Sequence, residues 1–257
     1  MRSALLNPVA TDGNQKPEHR LRLYSFPYCG AGVESASWLD GLPADLLFDL
    51  EVWSVSLPGH TPGGKDVPFA EIGPLVDLLV QELGPALQPP YAFLGHSLGA
   101  LIGYEVACRM QAQGRRGPEH MIVSACRAPH LRNKRTPVHD RSDAEVTERL
   151  RELGGTPEEV LENSELMGVL LPLVRADFAL CERYAFSQRQ PLDCSLTALS
   201  GNRDVYVTVE EVNAWRRQTA GNFSLQVFAG NHFFMDSSRS AVLTAVAEDI
   251  RQVLNQI

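Results

Sequence analysis

The sequence predicts an α/β fold: one mostly parallel central sheet flanked by helices, with a helical insertion in the second half of the chain. From Leu21 onward, short apolar runs alternate with longer stretches whose apolar residues recur at helical spacing. Near the middle, Tyr91-Ala92-Phe93-Leu94 runs into Gly95-His96-Ser97-Leu98-Gly99 and directly on into a helix-forming segment, a strand, sharp turn and helix in immediate succession. The length of 257 residues suits one large domain with a continuous core.

The elements follow in order. Residues 1–20 are polar, contain prolines and lack the apolar run of a signal peptide, so they are expected to form a flexible tail ahead of a single domain over 21–257. Strands are expected at 21–26, 50–56, 91–94, 121–125, 196–200 and 224–228, where β-branched, aromatic and leucine residues cluster between turn residues. Helices are expected at 72–87, 101–113, 209–219 and 240–254, each with an apolar stripe. Ser142 with Glu145, Thr156 with Glu159 and Thr208 with Glu211 have the spacing of a capping box, which marks helix starts. Residues 144–186 carry only helical patterns, interrupted by Gly154-Gly155 and Pro172, and set off a lid region at about 140–187. The apolar segment around Leu166 to Val174 reads either as plain core packing or as the roof and acyl-pocket wall of such a lid.

The composition narrows the function classes. A formal net charge of -8 leaves no polyanion-binding surface, so nucleic acid is not an expected partner. Five cysteines (Cys29, Cys108, Cys126, Cys181 and Cys194) without C-x-x-C spacing indicate neither a disulfide framework nor a metal site, and point to a reducing cytoplasm. No segment is long enough to span a bilayer, and no cofactor motif is present.

Ser97 sits where a turn between two small residues would expose its hydroxyl to a base on one side and to amide donors on the other. Of the seven histidines, His19 lies in the tail, His120 opens a strand, and His130 and His139 fall in a polar, basic run. His96 neighbours Ser97 in the turn, where successive side chains diverge. His232 follows the last strand through Ala229-Gly230-Asn231, on a loop at the strand's C-terminal end, where open α/β sheets collect functional groups. Among the aspartates between Ser97 and His232, Asp204 follows a strand and a glycine turn at the same sheet edge. Asp193 lies at the strand's other end and Asp177 inside the insertion. Ser97, His232 and Asp204 therefore form the expected catalytic set. The backbone N–H groups of Leu98, just after the serine, and Cys29, in the loop Phe26-Pro27-Tyr28-Cys29-Gly30, are the expected oxyanion donors.

Together with Leu57-Pro58-Gly59, Leu171-Pro172-Leu173-Val174-Arg175-Ala176-Asp177-Phe178 and Gly230-Asn231-His232-Phe233-Phe234, these motifs resemble the type II thioesterases, stand-alone α/β-hydrolases associated with polyketide and nonribosomal peptide synthases. The resemblance runs from about Leu21 to the C-terminus. It implies hydrolysis of acyl thioesters on the phosphopantetheine arm of an acyl or peptidyl carrier protein, with no cofactor. It departs from the family at His60, where relatives often have arginine, and at Cys29, where many have alanine; the first bears on the pocket mouth or carrier docking. A carboxylesterase, an acyltransferase and a non-catalytic carrier-binding module remain as alternatives. The group Arg127, Arg132, Lys134 and Arg135 reads first as a solvated charged face and second as a docking edge.

Overall fold

Among the described residues, 3–9, 20–60 and 66–257 of this computed structural model, seven strands form one sheet. They are β1 (Leu6–Pro8), β2 (Leu21–Phe26), β3 (Leu50–Val55), β4 (Tyr91–His96), β5 (His120–Ser124), β6 (Ser195–Gly201) and β7 (Phe223–Phe228), in the spatial order β1-β3-β2-β4-β5-β6-β7. Every neighbouring pair is parallel except β1 with β3. The helices are α1 (Ile72–Leu83), α2 (Leu98–Ala112), α3 (Asp143–Leu153), α4 (Glu158–Leu161), α5 (Ser164–Glu182), α6 (Val209–Asn213), α7 (Phe234–Ser237) and α8 (Arg239–Leu254).

Both faces of the sheet are covered, and β4 shows why its sequence is apolar without alternation. Tyr91 and Phe93 enter the core under α1 and α2, with Leu75, Leu79 and Ile102. Ala92 and Leu94 enter the opposite core, with Trp38, Val246 and Ile250. A central parallel strand presents apolar groups on both sides because each side meets a helical layer. Between β5 and β6, α3, α4 and α5 carry a third, smaller core of Val146, Leu150, Leu161, Leu171 and Phe178. These three helices occupy the segment expected as the insertion.

Several boundaries differ from expectation. Leu6–Pro8 is not tail but an edge strand, paired antiparallel with Trp53 to Val55, and Asn7 Nδ2 donates to Ser56 Oγ at 2.7 Å; three residues are too short for periodicity to reveal. The rest of the expected tail lies partly outside the described residues. Helix α1 stops at Leu83: Gly84 still takes helical dihedrals and donates to Val80 O at 3.1 Å, but Pro85 has no N–H with which to continue the ladder. The expected helix at 209–219 splits into α6 and a 3-10 turn at Ala214–Gln218. Thr156 forms no capping box: α4 begins after Pro157 without a side-chain cap, whereas Ser142 and Thr208 each complete one. Pro172 does not interrupt α5, which runs through it. The carbonyl deprived of a donor belongs to Gly168, which has no side chain and faces open space.

Candidate active site

The connection order of the sheet reverses between β2 and β4, whose chains proceed to opposite sides, and open α/β sheets hold their ligand crevices at such points. Register sets Phe26 beside Gly95, so the loop after β2 and the turn after β4 open at the same edge. At that turn Ser97 has φ 53 and ψ -120, a strained backbone for a residue with a side chain. The glycines on either side make it possible. A Cβ at Gly95 would lie 2.3 Å from the Gly99 carbonyl carbon, and one at Gly99 would lie 2.2 Å from the Phe26 oxygen. Helix α2 starts at Leu98, immediately after the serine and earlier than periodicity alone indicates. The Leu98 amide is thus one of the N-terminal N–H groups with no intrahelical acceptor.

His232 and Asp204 reach Ser97 from β7 and β6. The loop after β7 passes directly over Gly201, where a Cβ would meet the Asn231 oxygen at 2.4 Å, and Arg203 N donates to Gly230 O at 2.8 Å. This route carries the imidazole back toward β4. His232 Nδ1 lies 2.8 Å from Asp204 Oδ2, and Nε2 lies 3.0 Å from Ser97 Oγ. A carboxylate can only accept, so Nδ1 carries the proton and Nε2 is left to accept from the serine hydroxyl. Asp204 Oδ1 accepts from Tyr206 N at 2.7 Å and Val207 N at 3.1 Å, which fixes the carboxylate. Both the imidazole and the carboxylate are buried.

The other described histidines are engaged elsewhere, and His19 lies outside the described residues. His96 is buried with its Nδ1 2.9 Å from Ser124 Oγ, and burial and the nearby His232 push it well below the usual histidine range, so it stays neutral. His120 contacts Thr197 Oγ1, His139 contacts Glu182, and His130 accepts from Gln218 Nε2. Cys29 does lie on the loop after β2, where Ala31 N closes a turn onto Tyr28 O at 3.1 Å and Gly30 takes φ +73. The Cys181 thiol beside it and burial push the Cys29 thiol well up, which disfavours a thiolate there.

Ser97 and His232 open into a cavity of about 1050 Å³ between the sheet edge and the helical insertion, with Asp204 buried behind the imidazole. Leu98, Leu101, Phe178 and Phe186 give part of it an apolar lining, while Arg132, Lys134, Arg135 and Arg149 line another part. Among the described residues no group of His, Cys, Asp and Glu is arranged to hold a metal ion, and no helix is long and apolar enough to cross a membrane.

One arrangement escaped sequence reasoning. His60 is not at the pocket mouth but buried, with Nε2 3.0 Å from Oδ2 of the fully buried Asp177. The only signal was a carboxylate on an otherwise apolar helical stripe.

A fold of this type, with serine, imidazole and carboxylate converging at one sheet edge beneath a helical insertion, defines the serine-hydrolase class. Comparison with known proteins makes this specific: the thioesterase domain family matches residues 21–254, and the chain belongs to that family. It is 35% identical over 97% of its length to the gramicidin S biosynthesis protein GrsT of Aneurinibacillus migulanus, of which it covers 96%. To the thioesterase PikA5 of Streptomyces venezuelae it is 31% identical, covering 91% of this chain and 82% of that one. Among solved structures it resembles the RedJ thioesterase of the prodiginine biosynthetic pathway in Streptomyces coelicolor. There the TM-score is 0.84 and the identity 36%, with 94% of this chain and 96% of that chain covered.

Proposed function

We propose that this protein hydrolyses acyl groups from the phosphopantetheine arm of acyl or peptidyl carrier proteins in polyketide or nonribosomal peptide synthesis, clearing stalled or misprimed carriers. The observation that carries this reading is the Ser97–His232–Asp204 chain of hydrogen bonds at one side of a cavity large enough for an extended thioester. In this mechanism Ser97 Oγ attacks the thioester carbonyl as its proton passes to His232 Nε2. The amides of Leu98 and Cys29 hold the oxyanion. Collapse of the tetrahedral species breaks the C–S bond, and the leaving sulfur takes the proton from His232. Water, deprotonated by the same nitrogen, then releases the acid and restores the serine. Asp204 keeps the imidazole in the required tautomer and stabilises its protonated form.

The basic side chains along the cavity support a carrier as substrate rather than a free ester. Arg132 and Lys134 are exposed and have no carboxylate in ion-pair range among the described residues. Arg127 instead meets Glu211 at 3.5 Å, and Arg149 meets Glu152 at 3.4 Å. Unpaired cations beside the cavity suit the arm's phosphodiester and an acidic carrier surface. We place the activity in the cytoplasm, where carriers and free cysteines both belong.

The test is hydrolysis of a set of acyl-phosphopantetheinyl carriers of increasing acyl length, beside matched small-molecule thioesters and oxygen esters. Release of free acid and holo carrier supports the reading. Preference for the oxygen esters would make the protein a carboxylesterase, and product formation only with an added alcohol or amine would make it an acyltransferase.

A further inference from the structure

Asp177 belongs to the insertion helix α5, yet its carboxylate serves the loop after β2. Its Oδ2 accepts from Gly30 N at 2.7 Å and from His60 Nε2 at 3.0 Å. Its Oδ1 has no hydrogen-bond partner among the described residues, although the whole residue is buried. A carboxylate held in this way is costly, and the protein keeps it at the turn that carries the Cys29 amide. The same turn is clamped from above: a Cβ on Gly30 would lie 3.0 Å from Val174 Cγ2, so α5 packs directly on the glycine. His60 completes the group, with Nδ1 3.3 Å from the carbonyl oxygen of Pro58. Both ring nitrogens therefore face atoms that can only accept, and only the imidazolium has a proton for each.

We propose that His60 and Asp177 are positioning residues that lock the oxyanion loop to the insertion helix, and that losing the charge on His60 loosens this lock and lowers turnover. The inference rests on the reading of Cys29 N–H as an oxyanion donor. The pair acts through the Gly30 amide, one peptide beyond that donor, and does not touch the reacting atoms.

The sign of the pH effect follows from the surroundings. Burial pulls the His60 pKa down, but the hydrogen bond and charge of Asp177 outweigh it, so the net direction is up from 6.5. The titratable groups facing the pair are Asp177 from α5, the Cys29 thiol of the loop and, beside that thiol, Cys181, also on α5. Cys29 is held well up and uncharged, so it supplies no competing negative charge at neutral pH. Stabilisation from a histidine held up in this way is full below its ordinary value and disappears as pH rises through the folded one. Turnover should thus fall as pH rises and His60 loses its proton.

The experiment measures kcat and KM for a p-nitrophenyl ester from pH 5.5 to 9 in the wild type, His60→Gln and Asp177→Asn, together with the Gly30 amide resonance in proton–nitrogen spectra. Such an ester reports on an acyl-serine enzyme whatever its natural substrate. The wild type should show a falling alkaline limb in kcat, and the Gly30 amide should shift with the same midpoint. His60→Gln, whose amide donates at every pH, should lose both the limb and the shift. Asp177→Asn should lower kcat about 10- to 100-fold while KM stays within about threefold, as for a displaced oxyanion donor. A limb that persists unchanged in His60→Gln, or a Gly30 amide that stays still in the wild type while the rate falls, would overturn the proposal. Should Asp177→Asn fail to fold, His60→Gln decides alone. If neither ester nor thioester is hydrolysed, it is the enzymatic reading that fails, and the Gly30 titration still decides whether the lock exists.

Discussion

Ser97 pays for its position with a left-handed backbone, a strain of about 1–3 kcal/mol that a serine in an ordinary turn would not bear. The return is a hydroxyl 3.0 Å from His232 Nε2 and a free amide on the next residue. If Ser97 is the nucleophile, Ser97→Ala and His232→Ala should each reduce kcat by about four to six orders of magnitude, measured on any accepted thioester. A less obvious prediction concerns Gly201, over which the histidine loop passes with no room for a methyl group. Gly201→Ala should displace His232 and cut kcat by about 100-fold, with KM little changed and the melting temperature lowered only modestly. Equal kcat in variant and wild type would show that the loop has another route. The glycine on each side of the serine was legible in the sequence, as were His232 and Asp204 as loop residues at strand ends. The His60–Asp177 contact was not, because it joins residues 117 apart that no local pattern relates.

Helices and strands were read from sequence with an accuracy that tracks how local their causes are. The unbroken apolar run of β4 and the helical stripes of α2 and α8 are local signals, and these elements lie close to where expected, with α2 beginning earlier, at Leu98. The edge strand β1 has too few residues to display a period, and the 3-10 segment Val33–Gly41 owes its place to Trp38 and Leu39 reaching the core shared with α8. Caps give a direct comparison, since one spacing occurs three times in sequence and forms a capping box twice. In Ser142 and Thr208 the side-chain oxygen accepts from the Glu145 and Glu211 amides at 3.3 and 3.2 Å. Ser142→Ala and Thr208→Ala should each cost about 1 kcal/mol in denaturant unfolding. Thr156→Ala should cost less than about 0.5 kcal/mol, because Pro157 rather than Thr156 precedes α4. Comparable losses at all three sites would contradict the assignment of these caps.

Over the molecule as a whole, the sheet brings β2, β4, β6 and β7 to one edge, and the insertion between β5 and β6 covers that edge. The alternation of strand and helix made the architecture legible, and the family resemblance extended it; the cavity was not readable, since its lining comes from distant segments. Its basic side is where the chain's net charge of -8 misleads, because the local sign near Arg132 and Lys134 is positive. Reversing both, Arg132→Glu with Lys134→Glu, should raise KM for a carrier-bound thioester at least about tenfold at low salt and leave a small thioester unaffected. Equal effects on both substrates would remove the carrier from the account of that surface. The central claim is that acyl transfer passes through Ser97, and rapid quenching of the protein with an acyl-phosphopantetheinyl carrier, followed by mass analysis of its peptides, tests it most directly. The peptide containing Ser97 should gain the acyl mass and lose it again as free acid accumulates. Steady turnover with that peptide unmodified throughout, and with Ser97→Ala within tenfold of the wild-type rate, would contradict it.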